Sequence, residues 1–375
     1  MHVSLKHKSE LQSFRGIAAL VVLIHHCFMY FNTGTVRYVA GELFFNAHAA
    51  VVAFYVLSGY VLSLALRGEQ KSLPGYVSFL IRRIFRIYPA LWVAMLIALV
   101  YTMVLKGVPL SVNVADPSWI GFRNSDPEWP RIVAAFLAIG AALPMPVWSI
   151  FAELVAAPIV PILFWSACYK PRWFGALFAS LLLASFLIGQ ATRMNVGVYL
   201  VDFAIGVAAC VWGSSFVAIL RRKKIVPGVA ILALLSLWFG RLIGPWSFEA
   251  NYHSPGAALL EALSAATLIA IIAIDSNRFS ILRKSRLVSL GDISYSLYLI
   301  HLPILALVAG YLGDVLLIRP FEGSQPVAAT FLILFIVLAI CLSISAFIYR
   351  FVERPWNSIG RAIANRCNES TRPAR

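Results

Sequence analysis

Charge is scarce in this chain. Asp, Glu, Lys and Arg make up 13% of its 375 residues, and the acids number only 16. A soluble domain of this size carries about twice that share of charge, so a water-facing globular fold is excluded. Cysteine is also rare. Cys27, Cys168, Cys210, Cys341 and Cys367 lie far apart, with no CxxC and no metal-ligand spacing to His. A disulfide framework or zinc site is therefore not expected, and the five read as small apolar packing residues. No Pro/Gly/Ser tract, low-complexity run or internal repeat divides the chain. Short alternating segments are missing as well, which excludes a transmembrane β-barrel.

What is there is apolar. Hydrophobic residues are 61% of the chain and mean hydropathy is +0.83. They come in blocks of about 18–24, long enough for helices to cross a bilayer. The expected fold is an all-α polytopic transmembrane bundle of ten spans: Leu11–Phe31, Leu43–Leu66, Ile84–Leu105, Val147–Cys168, Trp173–Gln190, Val196–Val217, Pro227–Gly244, Gly256–Ile274, Leu290–Leu312 and Pro326–Phe351. Ile132–Leu143 is too short to span and is expected to be re-entrant or interfacial. The first stretch holds Arg15, His25 and His26 and is followed by no small-residue cleavage pattern, so it reads as a retained span. One membrane domain is expected over 1–375, with its core at about 11–356, an ordered Pro-rich loop at Lys106 to Arg131 and a basic cytoplasmic tail at 357–375.

The formal charge of +15 is a matter of topology rather than of nucleic acid. With both termini in the cytoplasm, the outer side of ten spans carries only Arg37, Lys106, Arg123, Arg131, Arg193, Arg241 and Arg319, and the rest of the 31 Lys and Arg fall inside. That asymmetry is the positive-inside pattern, with anionic lipid as the natural counter-charge.

Ionisable groups within spans are costly and usually have a reason to be there. Arg15 and His26 are eleven residues apart, about 1100° of helical rotation, so they share a face about 16 Å apart along the axis. His25 points about 100° away. Glu153, Asp202 and Glu261 each sit about 8–9 Å into a span from the outside, which puts them in one depth band with His26. Gly291, Ser294, Tyr298 and His301 form one polar stripe at i, i+3, i+7, i+10. A His and a carboxylate at one depth can act as a general-base pair, although an isolated acid can equally snorkel or pair for packing. Arg82, Arg83 and Arg86 open the third span. Guanidinium forks suit phosphates, and an arginine cluster at that edge also serves as positive-inside anchoring.

These residues fall in a recognisable order. Phe14-Arg15-Gly16-Ile17-Ala18-Ala19-Leu20 with His25-His26, then Phe54-Tyr55-Val56-Leu57-Ser58-Gly59-Tyr60, Arg82-Arg83-Ile84-Phe85-Arg86, Trp148-Ser149-Ile150-Phe151-Ala152-Glu153, Leu290 to His301 and Glu353-Arg354-Pro355 resemble the successive motifs of the acyltransferase-3 family of integral membrane O-acyltransferases. Two positions depart from it. Val52 stands where members often carry Asp, and Ala156-Ala157 replace a Phe-Tyr pair.

The resemblance implies acyl-CoA, usually acetyl-CoA, as donor, and a hydroxyl of a bacterial surface polysaccharide or lipid-linked sugar as acceptor. It implies a location in the bacterial inner membrane and no metal. It also implies His26 as the catalytic base. With the depth reading, Glu153 is expected to orient His26, Arg15, Arg82, Arg83 and Arg86 to hold the donor, and Ser149, Asp202, Tyr298 and His301 to line the acceptor side. The competing expectations are a proton-coupled secondary transporter, which internal repeats would have favoured, and an inactive scaffolding relative.

Overall fold

A computed structural model describes residues 9–68, 71–108, 114, 128–139, 146–188, 196–242, 253–312 and 326–369. Most of the expected 106–131 loop and residues 370–375 lie outside that range. Among the described residues the chain is all helical, apart from one isolated antiparallel bridge between Phe31 and Val114. The helices are α1 (Ser9–Tyr30), α2 (Ala47–Leu66), α3 (Leu73–Leu105), α4 (Trp129–Phe136), α5 (Val147–Tyr169), α6 (Pro171–Ile188), α7 (Val196–Arg222), α8 (Val226–Phe239), α9 (Pro255–Ile274), α10 (Ser285–Asp292), α11 (Ser294–Gly310), α12 (Pro326–Ile348) and α13 (Arg354–Glu369). A π-helical segment, Arg37–Phe44, leads into α2, and another, Tyr349–Glu353, joins α12 to α13.

Every expected span has a helix among the described residues, though not all of them are equally long. Among the described residues, eight helical stretches are long and apolar enough to cross a membrane, one of them the continuous run Val327–Cys367, or nine if the bent pair α10–α11 is one span. The apolar run Val226–Leu242, α8 with its closing 3-10 turn, is shorter than the others. The expected ninth span, Leu290–Leu312, is broken by 65° between α10 and α11. Ile132–Leu143 is represented by α4 and the turn after it, with Gly140 onward outside the described residues. α4 is tied to α3 by Tyr88 and Trp92, which donate to Leu137 O and Phe136 O. The segment expected as a tail is helical to Glu369 and packs on α3, where Ser78 Oγ donates to Ala364 O at 3.0 Å.

The break at Gly291–Ser294 has a local cause. Gly291 lies against the Gln12 backbone of α1 with no room for a Cβ, and Gly16 lies as tightly on Gly291. Where the ladder is interrupted, Gly291 O accepts from Ser294 Oγ at 2.7 Å and from Arg15 Nη2 at 3.1 Å. Irregular backbone at membrane depth survives only where protein groups satisfy it in this way.

A large apolar core runs through the bundle, with a smaller cluster where α7, α8 and α9 meet. A second backbone-to-backbone contact joins α2 and α7. A Cβ at Gly59 would strike Phe203 O, and one at Gly206 would strike Val56 O, so the backbones touch through paired glycines. Close approach through small residues is how helices associate in lipid, where apolar side chains gain nothing by leaving the solvent. Gly206→Ala is expected to wedge α2 from α7 and cost about 1–3 kcal/mol, the usual penalty of overpacking. Gly175→Ala, on an open surface of α6, is expected to leave the thermal unfolding midpoint in detergent unchanged. Equal midpoints for both variants would contradict this contact.

Candidate functional site

A cavity of about 120 Å³ lies between α1, α2, α3, α5 and α11. Its polar lining includes Arg15, Tyr55, Ser58, Arg83, Arg86, Ser149, Glu153, Ser294, Tyr295 and Tyr298, set among apolar residues such as Val51, Phe54 and Leu62. Each guanidinium is held from a different helix. Arg15 Nε donates to Ser294 Oγ at 2.9 Å, beside its bond to Gly291 O. Arg83 pairs with Glu153 of α5, and Arg86 Nη1 pairs with Glu353 at 2.6 Å. Glu353 is buried at the end of the π-helical turn and also accepts from Ser296 Oγ. Three cations against two carboxylates leave the site net positive. The Nε–H of Arg83 is buried with no hydrogen-bond partner, an unused donor in the cavity wall.

Tyr298 leads from this cationic chamber to the histidines. Its hydroxyl meets Ser149 Oγ at 2.7 Å, and its carbonyl accepts from His301 Nδ1 at 2.6 Å. His301 Nε2 lies 3.2 Å from His26 Nδ1, with ring centroids 5.0 Å apart. His26 Nδ1 also lies 2.8 Å from Val22 O. The two carbonyls fix the neutral tautomers, because a carbonyl only accepts. His301 carries its hydrogen on Nδ1 and offers the Nε2 lone pair to His26. His26 carries its hydrogen on Nδ1, which leaves the lone pair on Nε2.

The structure brings together Arg15, Arg83, Arg86, Ser149, Glu153 and Tyr298 in the cavity, with His26 and His301 next to it. It corrects the expected pairing of Glu153 with His26. Glu153 pairs instead with Arg83 and accepts from Ser58 Oγ at 3.2 Å. The reason is electrostatic: an arginine this far into the bundle needs a counter-charge, whereas a neutral imidazole is satisfied by a carbonyl and a second imidazole. Arg82 is not in the lining and donates to Ser78 Oγ at 2.8 Å. Asp202 is also outside it, fully buried on α7 with both carboxyl oxygens unpartnered. His25 is a brace for the segment before α2, its Nδ1 lying 2.6 Å from Gly41 O and 2.8 Å from Phe45 O.

A second polar cluster was not legible as a unit in the sequence. His48 opens α2 with Nδ1 2.5 Å from Glu261 of α9, and Arg241 Nε reaches the other Glu261 oxygen at 3.1 Å. His48 Nε2 meets Tyr199 OH at 2.8 Å, and Tyr199 OH meets His253 Nδ1 at 2.7 Å. His48, Arg241 and Glu261 are all buried. The signal was present in part, since each lies within or at the edge of an expected span, but nothing in their spacing joins four separate segments. His253, before α9, is held neutral: burial, then His48 and Arg241, lower its pKa to about 4.

A family model described as an acyltransferase domain matches residues 8–348. No curated protein and no solved structure matches the chain.

The buried cluster makes a stability prediction. Arg241→Ala removes the cation from the buried Glu261 carboxylate, leaving it only His48, and is expected to cost about 3–5 kcal/mol. Adding Glu261→Gln to it should recover part of the loss, read as unfolding midpoints in detergent. Because the folded pKa of His253 is below the unfolded value, its contribution is complete above about pH 6.5 and falls as pH drops toward 4. His253→Gln should flatten the stability profile across that window, and an unchanged profile would count against it.

Proposed function

The chain belongs to the acyltransferase-3 family of membrane acyltransferases, matched over residues 8–348, and from that premise we propose that it moves an acetyl group from acetyl-CoA to a hydroxyl of a bacterial surface polysaccharide or lipid-linked sugar. The setting of this reading is the inner membrane, with both termini in the cytoplasm and the arginine-lined cavity serving the donor.

The observation that carries the reading is the His26–His301 contact beside a cavity walled by Arg15, Arg83 and Arg86. Acyl transfer from a thioester needs a base for the acceptor hydroxyl and donors for the developing oxyanion. In this reading His26 Nε2 takes the acceptor proton as the oxygen attacks the thioester carbonyl. The C–S bond then breaks, and the leaving thiolate takes the same proton back from His26. The acceptor gains the acetyl group and CoA leaves as the free thiol. His301 acts through His26: its Nε2 lone pair and Val22 O hold the Nδ1 hydrogen in place and support the imidazolium while it lasts. The cationic wall, with the unused Arg83 Nε–H, suits an anionic donor or its carbonyl. With Arg83 and Arg86 already paired to carboxylates, they orient the donor rather than act as bare charges.

The test uses purified protein in nanodiscs with acetyl-CoA and a glycan acceptor, together with mass spectrometry of surface glycans from cells with and without the chain. His26→Ala is expected to lower turnover by about 10²–10⁴-fold, the range of general-base catalysis. His301→Ala should reduce kcat with little change in KM and move the acidic limb of the pH–rate profile, and His301→Gln, which keeps an acceptor, should recover part of it. His25→Ala should reduce stability and leave the pH profile in place. Glycans with equal acetyl content in both cell types would remove the proposed activity, and an unmoved pH limb in His301→Ala would remove His301 from it.

A further inference from the structure

α13 is packed on one side only. Gly360 and Ala364 face α3, and a Cβ at Gly360 would lie 2.5 Å from Phe85 Cβ. The rest of the helix divides by chemistry. At 100° per residue, Trp356, Ile359 and Ile363 fall within about 60° of one another, and all three are exposed. Arg354, Arg361 and Asn365 cluster within about 40°, centred about 170° from that stripe, and Arg366 flanks the stripe about 20° beyond Ile359; all four are exposed.

No homogeneous medium suits both arcs. Water leaves a Trp–Ile–Ile stripe uncovered, and hydrocarbon strands the arginines. Two further observations fix the occupant. The apolar stripe continues the exposed surface of α12 through Phe347 and Phe351, and Trp356 touches the Phe85 ring with centroids 5.8 Å apart. The partner helix has length to spare: α3 has 33 residues, about 50 Å of rise against about 30 Å of hydrocarbon. α13 lies against the Ser78 to Phe85 part of α3, near the helix's N-terminal end, where Leu73, Val77 and Ile84 are exposed.

We propose that α13 is an interfacial helix that docks on an anionic lipid surface, its Trp356–Ile359–Ile363 stripe in the acyl boundary and Arg354, Arg361 and Arg366 among anionic headgroups. The helix starts directly after Glu353, which holds Arg86, and its far end is pinned to Ser78, which also takes Arg82. Lipid docking thereby steadies the base of the arginine-bearing helix from outside the cavity. This inference is independent of which acyl group is moved or to what.

The test is amide hydrogen exchange of the full-length protein in nanodiscs of phosphatidylcholine alone or mixed with phosphatidylglycerol. Amides of residues 354–369 are expected to exchange more slowly in the anionic discs, and added salt should erase that difference. Arg361→Glu with Arg366→Glu should abolish the lipid preference, and Ile359→Ser with Ile363→Ser should raise exchange in both lipids. Unchanged exchange of α2 and α7 in each variant establishes that the bundle has folded. Equal protection of α13 in the two lipids for the unmodified protein, or a preference that survives the double charge reversal, overturns the proposal.

Discussion

Three guanidinium groups sit inside an apolar bundle, and the arrangement around them follows from that cost. A buried cation is tolerable only with a counter-charge and filled hydrogen bonds. Arg83 draws Glu153 from α5, Arg86 draws Glu353 from the π-helical turn after α12, and Arg15 takes the Gly291 carbonyl and Ser294 at the break before α11. Each partner comes from a different part of the chain, so the same contacts that neutralise the arginines gather the cavity walls. Losing one partner strands a charge in the bundle, which links the integrity of the site to that of the fold.

The break between α10 and α11 performs two tasks at once. It frees a backbone carbonyl for Arg15, and it starts α11 at Ser294, so that Ser294, Tyr298 and His301 follow the cavity from the arginines to His26. Gly16 and Gly291 make the break possible by letting α1 and α10 touch at their backbones.

The opposite side of the bundle is held by different means. Gly59 and Gly206 bring α2 and α7 into backbone contact, and the His48–Glu261–Arg241–Tyr199–His253 cluster ties α2, α7, α9 and the turn after α8. In a bundle where apolar burial barely discriminates one helix pairing from another, these small-residue contacts and polar clusters select the pairings.

The sequence by itself determined the apolar segments, their type and most of the cavity residues. Hydropathy needs no partner to be read, and the motifs carry Arg15, His26, Arg83, Arg86, Ser149 and Tyr298 in order. Helical spacing rightly put Arg15 and His26 on one face, because that relation lies within a single helix. It misplaced Glu153, because depth counted from a span edge is blind to which charge waits on the neighbouring helix. It could not show that His301 reaches His26, that Arg241 meets Glu261, or that the segment after Glu353 packs on α3. Those contacts join residues separated by 275, 20 and 286 positions, and their choice rests on the pairing of buried charge and the close approach of glycines, which only the packed bundle decides.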